Sequence, residues 1–392
     1  MVARRTGVGK PLRVALLVIL AVFLVVSLRI LLLRADYAPG APTHSASVAT
    51  SWGRPFSGPQ GPFTYAGAVH VHTEVSADAR VPLSDVVAAA REAGLSFVVL
   101  TEHDVVHPLG ARARVQDGVL LVAAVEWSAS DGHLLDFSPT PSRGPYRTGV
   151  EAVAACRASG GPCVVAHPTS WRRQWLSTWQ GVDGMEIHSG MAAVGDQLKP
   201  PFLQLGWTAW QTLLNPGMGL WPSGAAQERA LWMHEAYAQV QPMSAWCSPD
   251  LHGHLPLREN LAGFLTLVGL PQPLDGDALV AAQQLVDALP RGVCVNALAG
   301  WVDGLRLEAD GSRVRARGQL AHAAGPARLV LLKDSVQISE VSISARVPAE
   351  VEAPRTDGTW RAEIRVSAPG FIFPREHSAA VSVLRVDASE GR

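Results

Sequence analysis

The stretch over residues 66–104, AGAVHVHTEVSADARVPLSDVVAAAREAGLSFVVLTEHD, constrains this chain more than any other. It reads as strand, helix, strand. His70 and His72 stand one residue apart at the end of a short apolar run. In a strand that spacing directs both imidazoles to the same side. An alanine-rich helix follows, with Pro82 near its first turn and Gly94 as its stop. A second apolar run over residues 97–100 then ends in Thr101-Glu102-His103-Asp104. Metal-ligand side chains at both strand ends point to an α/β barrel, a fold that gathers its chemistry at the carboxyl ends of its strands.

The same arrangement recurs downstream. Residues 119–125 form a strand candidate closed by Glu126, and His133 follows Gly132 at the start of another apolar run. Thr148-x-x-Glu151 is a capping box opening a helix that Gly160-Gly161 ends. A buried strand over 163–166 delivers His167, a weaker one over 182–187 delivers Glu186 and His188, and Asp250-x-His252-x-His254 follows the apolar run at 245–248. A helix over about 277–289 and a strand over 292–297 close this body. Within this body, over about 171–246, lies a Trp-rich insertion. Trp171, Trp175 and Trp179 fall at i, i+4, i+8, the spacing of one helix face. The insertion reads as aromatic packing under a long cap, as a lid, or as a surface meeting a bilayer interface.

Both ends differ from this body. Residues 14–28 carry no charge and 30–33 extend the apolar run past Arg29, about 20 residues in all, enough to span a bilayer as a helix. Arg4, Arg5, Lys10 and Arg13 precede the run, so the positive-inside rule keeps the N-terminus cytoplasmic. The expectation is a single-pass cell-membrane anchor over 1–34, a Pro/Gly/Ser-rich tether over 35–64, and a catalytic domain over 65–300 outside the cytoplasm. Residues 301–392 hold short alternating segments and read as a small β-sandwich accessory domain without a cluster of ligand types. No Cys-x-x-Cys pair occurs; Cys156 and Cys163 flank a Gly-Gly-Pro turn and suit a disulfide, while Cys247 and Cys294 lie in apolar runs and read as buried thiols. A formal net charge of −1 leaves no footprint for nucleic acid.

The candidate ligands are His70, His72, Asp78, His103, Glu126, His133, His167, Asp250 and His252. Zinc takes four ligands, so this set suits two or three divalent ions sharing a bridging carboxylate, with Zn, Mn or Fe compatible with the nitrogen and oxygen donors. Closely spaced ions lower the pKa of bound water and clamp attacking and leaving oxygens, which predicts hydrolysis by a metal-activated hydroxide with no covalent enzyme intermediate. Glu186 and His188 are candidates for lining the site. Asp104, His107 and His254 stand near strand ends and are expected at most to orient ligands. Arg143, Arg147, Arg172 and Arg173 suit recognition of phosphate.

The order of these motifs resembles the PHP (polymerase and histidinol phosphatase) superfamily over about residues 66–300. The resemblance rests on His70-x-His72 with Asp78, Thr101-Glu102-His103-Asp104, Glu126 with Gly132-His133, Ala166-His167-Pro168 and Asp250-x-His252. It implies a distorted (β/α)7 barrel and a trinuclear site. In that implied assignment His70, His72, Glu126 and Asp250 hold one ion, and Glu126 bridges to a second held by His133 and His167. Asp78, His103 and His252 hold the third. The anchor and the β-module depart from a DNA-polymerase or histidine-biosynthesis role, and the insertion from compact members. The expected activity is hydrolysis of a phosphomonoester or phosphodiester, on a small-molecule or envelope substrate. A carboxyl-ester or carbamate hydrolase and a non-catalytic anchored binding protein are the alternatives.

Overall fold

The computed structural model describes residues 9–37, 63–138, 140, 144–170, 172–191, 206, 209–210, 213, 224–295, 302–320, 326–368 and 375–386. The organising unit folds as strand β1 (Phe63–Val71), helix α2 (Leu83–Glu92) and strand β2 (Phe97–His103), after the N-terminal helix α1 (Gly9–Tyr37). Helix α2 follows Pro82, buries Val86, Val87, Ala89 and Ala90, and gives way to Gly94 at φ +73°. With one face buried and the other charged, it crosses over to set β2 parallel to β1.

Strand β3 (Ala113–Gln116) runs antiparallel to β4 (Val119–Ala129), and β4 lies parallel to β2. A tight turn then returns the chain as β5 (Gly132–Asp136), antiparallel to β4. Helix α3 (Gly149–Ser159) is capped as its sequence dictates. The Thr148 hydroxyl accepts the Glu151 N–H at 3.3 Å, and Gly160 ends the helix at φ +81°. Strands β6 (Cys163–Ala166), β7 (Gly184–Ser189) and β8 (Ser244–Ser248) follow, with helix α4 (Gly224–Ala238) between the last two. Helix α5 (Leu257–Gly263), strand β9 (Leu265–Leu270), helix α6 (Ala278–Ala288) and strand β10 (Val293–Val295) complete the body.

In the sheet the order is β10-β9-β1-β2-β4-β5-β6-β7-β8. The β1–β2–β4 and β6–β7–β8 neighbours are parallel, but β4–β5, β5–β6 and β1–β9 are antiparallel. Of the distorted (β/α)7 barrel implied by the resemblance, the pairing shows a mixed α/β sheet, because a short turn such as that into β5 can only reverse the chain. The chain leaving β8, at one end of the sheet, meets β1 at a single parallel bridge, Val71 with Leu251, where the His72 N–H donates to the Leu251 carbonyl at 3.0 Å. That bridge brings the segment carrying Asp250 beside the His70/His72 strand.

Strands β11 (Val302–Ala309), β12 (Arg313–Leu320) and β15 (Ala349–Pro354) form a separate three-stranded sheet. Strands β13 (Ala327–Lys333), β14 (Val336–Ser342), β16 (Gly358–Ala368) and β17 (Arg375–Val386) pair with one another, and β17 pairs with β10. The main sheet thus runs on into the C-terminal strands. Val314, Ala316 and Leu320 face Leu329, Leu331 and Ile364 in one apolar cluster, while Arg313, Arg315 and Arg317 pair outside with Glu350 and Glu352. The alternation of β12 separates these two faces.

Two expectations are corrected. Trp175 and Trp179 lie in irregular chain between β6 and β7, not on a helix; Trp171 falls outside the described residues. Trp175 is buried edge-on to Trp179, and Trp179 stacks on Tyr237, so tertiary contacts override the helical spacing. Cys247 and Cys294 are disulfide-bonded, not thiols, because β8 and β10 bring their Cα atoms within 4.9 Å; Cys156 and Cys163 form the other disulfide. In helix α1 the side chains of residues 14–28 are described, and they are largely exposed. Among the described residues no helix is long and apolar enough to cross a membrane.

Candidate metal centre

The site is assembled on a distorted backbone. His70, His167 and Asp250 adopt φ values of +64°, +27° and +47°, and Asp104 +58°. Such conformations cost a non-glycine residue about 1–3 kcal/mol each and persist where the surroundings impose them. At His70 the cause is visible: the β1–β2 register shifts between Ala68 and Val71. His70 and His72 therefore reach the same carboxylate through a bulge, not through plain alternation. Gly132 performs a related task at the β4–β5 turn. It sits at φ +132°, and a Cβ there would meet the Trp175 side chain at 2.6 Å.

Glu126 is the hub. Its Oε2 lies 3.0 Å from His70 Nε2, 3.1 Å from His72 Nε2 and 3.4 Å from His103 Nδ1. Its Oε1 lies 2.8 Å from His133 Nδ1 and 3.0 Å from His167 Nε2. Asp250 Oδ1 approaches the same centre, 3.3 Å from His70 Nε2, 3.6 Å from His72 Nε2 and 3.5 Å from His252 Nδ1. At the outer edge Asp78 Oδ2 lies 3.1 Å from His103 Nε2 and 3.3 Å from His252 Nε2. All nine sequence-derived ligand candidates are thereby gathered into overlapping groups: His72/Asp78/His103/His252, His70/His72/Glu126, His70/His167/Asp250 and His103/Glu126/His133. His70, His72 and Glu126 are fully buried, whereas Asp78 is exposed and marks the open side.

The electrostatics are those of carboxylates in want of positive charge. Burial alone would lower the His70 pKa, but Glu126, Glu186 and Asp250 outweigh it and hold it well above the ordinary value. His103 and His167 are likewise raised against burial, and His252 is pushed up to about 9 by Asp78 and Asp250. Burial prevails at His133, which is lowered. Glu126, Asp78 and Asp250 are held below the usual carboxylate range by the imidazoles around them, against their own burial.

The residues fit divalent ions. His72 Nε2 and Asp250 Oδ1 are buried beside each other and neither meets a hydrogen-bond partner, as suits donor atoms a cation would engage. The imidazole and carboxylate mixture is compatible with Zn, Mn or Fe. Loading would require the imidazoles to give up their protons, so uptake would release protons.

The lining candidates separate. Glu186 Oε1 lies 2.7 Å from His70 Nδ1, and its Oε2 accepts the His167 backbone N–H at 2.7 Å, so it orients two ligands. His188, two residues on, does not join the cluster. A register shift in the β7–β8 pairing falls between Glu186 and His188, and the latter lies against Cys247 and Cys294. Asp104 acts through Ser128: it accepts the Ser128 N–H at 2.9 Å, and the Ser128 hydroxyl lies 3.0 Å from His103 Nδ1. His254 is exposed with its ring parallel to His252, centroids 6.2 Å apart. His107 is buried, 4.0 Å from Glu102. Arg172 and Arg173 are exposed beyond His167, the Arg147 backbone N–H donates to Glu151, and Arg143 lies outside the described residues.

Sequence reasoning does not single out Ser76 or Glu102 as site residues. Ser76 carries no signal of its own, and Glu102 stands only as part of the Thr-Glu-His-Asp run; the structure buries both beside His72 and His103.

No protein-family model and no curated protein matches this chain. A solved structure of a two-domain protein from Bacteroides vulgatus, described as containing a predicted PHP-like metal-dependent phosphoesterase, is similar at a TM-score of 0.43 and 14% identity, covering 86% of this chain and 100% of that one. At so distant a likeness, only the residues of the chain itself bear on its chemistry.

Proposed function

We propose that this chain is a metal-dependent phosphoesterase that hydrolyses a phosphomonoester or phosphodiester outside the cytoplasm. One observation carries the reading: Glu126, fully buried, meets five imidazoles while Asp250 and Asp78 close the remaining sides. A packed core gains nothing from such an arrangement unless cations occupy it. Two or three divalent ions bound there would activate water and offset the charge of anionic phosphoryl oxygens. The chain's own part is to hold Glu126 and the imidazoles rigidly, with Glu186 fixing His70 and the His167 backbone. Asp78 and His252, at the open side, face the approach of substrate.

The location belongs to the same proposal. Two disulfides, Cys156–Cys163 and Cys247–Cys294, favour an oxidising compartment. The uncharged run over residues 14–28, with basic residues before it, favours a single-pass anchor and an envelope or small-molecule substrate.

The test is direct. The full-length chain, solubilised in detergent, is analysed for bound Zn, Mn and Fe and assayed on aryl phosphates, aryl phosphodiesters and aryl esters beside His70→Ala and Asp250→Ala. Metal-dependent cleavage of a phosphoester, lost in both variants, is expected. Activity on carboxyl esters alone would sink the phosphoesterase reading. Bound metal with no hydrolysis at all would leave a binding protein.

A further inference from the structure

We propose that Glu102 and Ser76 form a positioning relay that sets the tautomer of His72, so that its Nε2 presents a lone pair to the metal centre. The consequence for metal rests on the reading above; the tautomer itself is a property of the chain alone.

Three short contacts converge on the Ser76 hydroxyl oxygen. It lies 2.7 Å from Glu102 Oε2, 3.0 Å from the His103 backbone N and 3.1 Å from His72 Nδ1. A hydroxyl has one hydrogen to give and two lone pairs to receive. Glu102 as a carboxylate only accepts, so the hydroxyl hydrogen is committed to it. The His103 N–H only donates and takes one lone pair. The remaining lone pair faces His72 Nδ1, which must therefore carry its hydrogen and donate. In the neutral imidazole that leaves Nε2 as the nitrogen with the lone pair, 3.1 Å from Glu126 Oε2 and without a hydrogen-bond partner of its own. Every member of this chain of bonds is directionally determined by its neighbour.

Glu102 is itself held. It accepts the Thr73 N–H at 3.0 Å and the Thr73 hydroxyl at 2.7 Å, and Glu102, Thr73 and Ser76 are all buried. Because Thr73 follows His72 and the Ser76 N–H closes back on the Thr73 carbonyl at 3.0 Å, one carboxylate pins both ends of the turn leading to Asp78. His70 offers the contrast: its Nδ1 meets Glu186 directly at 2.7 Å. The two histidines of the His-x-His pair are thus oriented by different carboxylates, one in contact and one through a rotatable hydroxyl. The hydroxyl is the link that a single substitution can remove without touching a ligand.

The experiment is histidine-selective 15N NMR on the metal-free full-length chain at alkaline pH, with the His72 signal assigned by its loss in His72→Gln. In the parent chain His72 is expected as the Nδ1–H form; finding it as Nε2–H overturns the relay with no variant needed. Ser76→Ala is expected to mix or reverse the His72 tautomer while the His70 signal, held by Glu186, stays in place and reports an intact fold. The same variant is expected to bind Zn2+ alone about 10–100-fold more weakly in a chelator competition. Ser76→Thr, which restores a hydroxyl, is expected to recover both readouts. An unchanged His72 tautomer in Ser76→Ala, with Zn2+ affinity within about twofold, would overturn the proposal. A parent chain that takes up no Zn2+ would defeat the metal centre, while the tautomer measurement would still decide the relay.

Discussion

Glu126 on β4 and Glu363 on β16 are both buried glutamates in one continuous sheet, and their neighbours put them to opposite uses. Glu363 is met by Arg361, by Arg365 Nε at 2.7 Å and by the Ser378 hydroxyl, while Arg361 also pairs with Glu235 of α4. Burial alone would raise Glu363, but the two guanidiniums hold it below the usual range. Those guanidiniums stay charged at any ordinary pH and never offer a lone pair, so they meet Glu363 as fixed counter-charges and cannot hold a metal ion. Glu126 is met by imidazoles, each able to exchange its proton for a metal ion. A buried carboxylate is therefore a structural tie in one place and, in the function proposed above, a metal bridge in the other. The identity of the partner decides which, not the density of charge.

The comparison can be broken in four ways, taken from the largest effect to the smallest. Glu126→Gln is expected to lower hydrolysis on the order of 10³-fold, the scale of lost electrostatic stabilisation in an active site, with at least one ion lost per chain by elemental analysis. Glu363→Ala is expected to leave metal content and activity per folded molecule intact but to cost about 3–5 kcal/mol in denaturant unfolding, because Arg361 and Arg365 lose their buried counter-charge. A Glu363 variant that loses metal would erase the distinction.

The third concerns His234, a buried imidazole on the Glu363 side of the molecule. It donates from Nε2 to the Met243 carbonyl at 3.0 Å, and burial, aided by Arg361, lowers its pKa to about 4. Between about pH 6.5 and 4 the unfolded chain takes up this proton and the folded chain does not, so its contribution is full above 6.5 and falls as pH falls, by roughly 3 kcal/mol over the window. His234→Gln is expected to flatten that part of the stability–pH curve. An unaltered slope would show that His234 is not the group responsible. The smallest effect is at Glu186. Glu186→Gln, which leaves all nine candidate ligands in place, is expected to weaken metal binding about 10–100-fold in a competition titration.

The order of the ligands was legible because most of them stand close to the ends of apolar runs, and strand and helix periods are local properties of a sequence. The βαβ start, the cap at Thr148 and the stop at Gly160 follow from residues within a few positions of one another. His188 shows where that logic ends: two residues from Glu186, it shares a strand but not a destination, because a register shift intervenes. Trp175 and Trp179 keep a helical spacing and form no helix, since their contacts lie with Gly132 and Tyr237.

For the site as a whole, the sequence by itself determined which side chains are available and in what order they meet the strand ends. Tertiary structure alone decided that Glu126, not another carboxylate, takes the centre, that Asp250 reaches it across the single Val71–Leu251 bridge, and that Cys247 finds Cys294. It likewise decided that the main sheet continues through β10 and β17 into the C-terminal strands. The physical reason is common to all of these. Side-chain direction along a strand is local, but which strands become neighbours depends on closing loops of tens to hundreds of residues, and that choice is made by the packing of the whole.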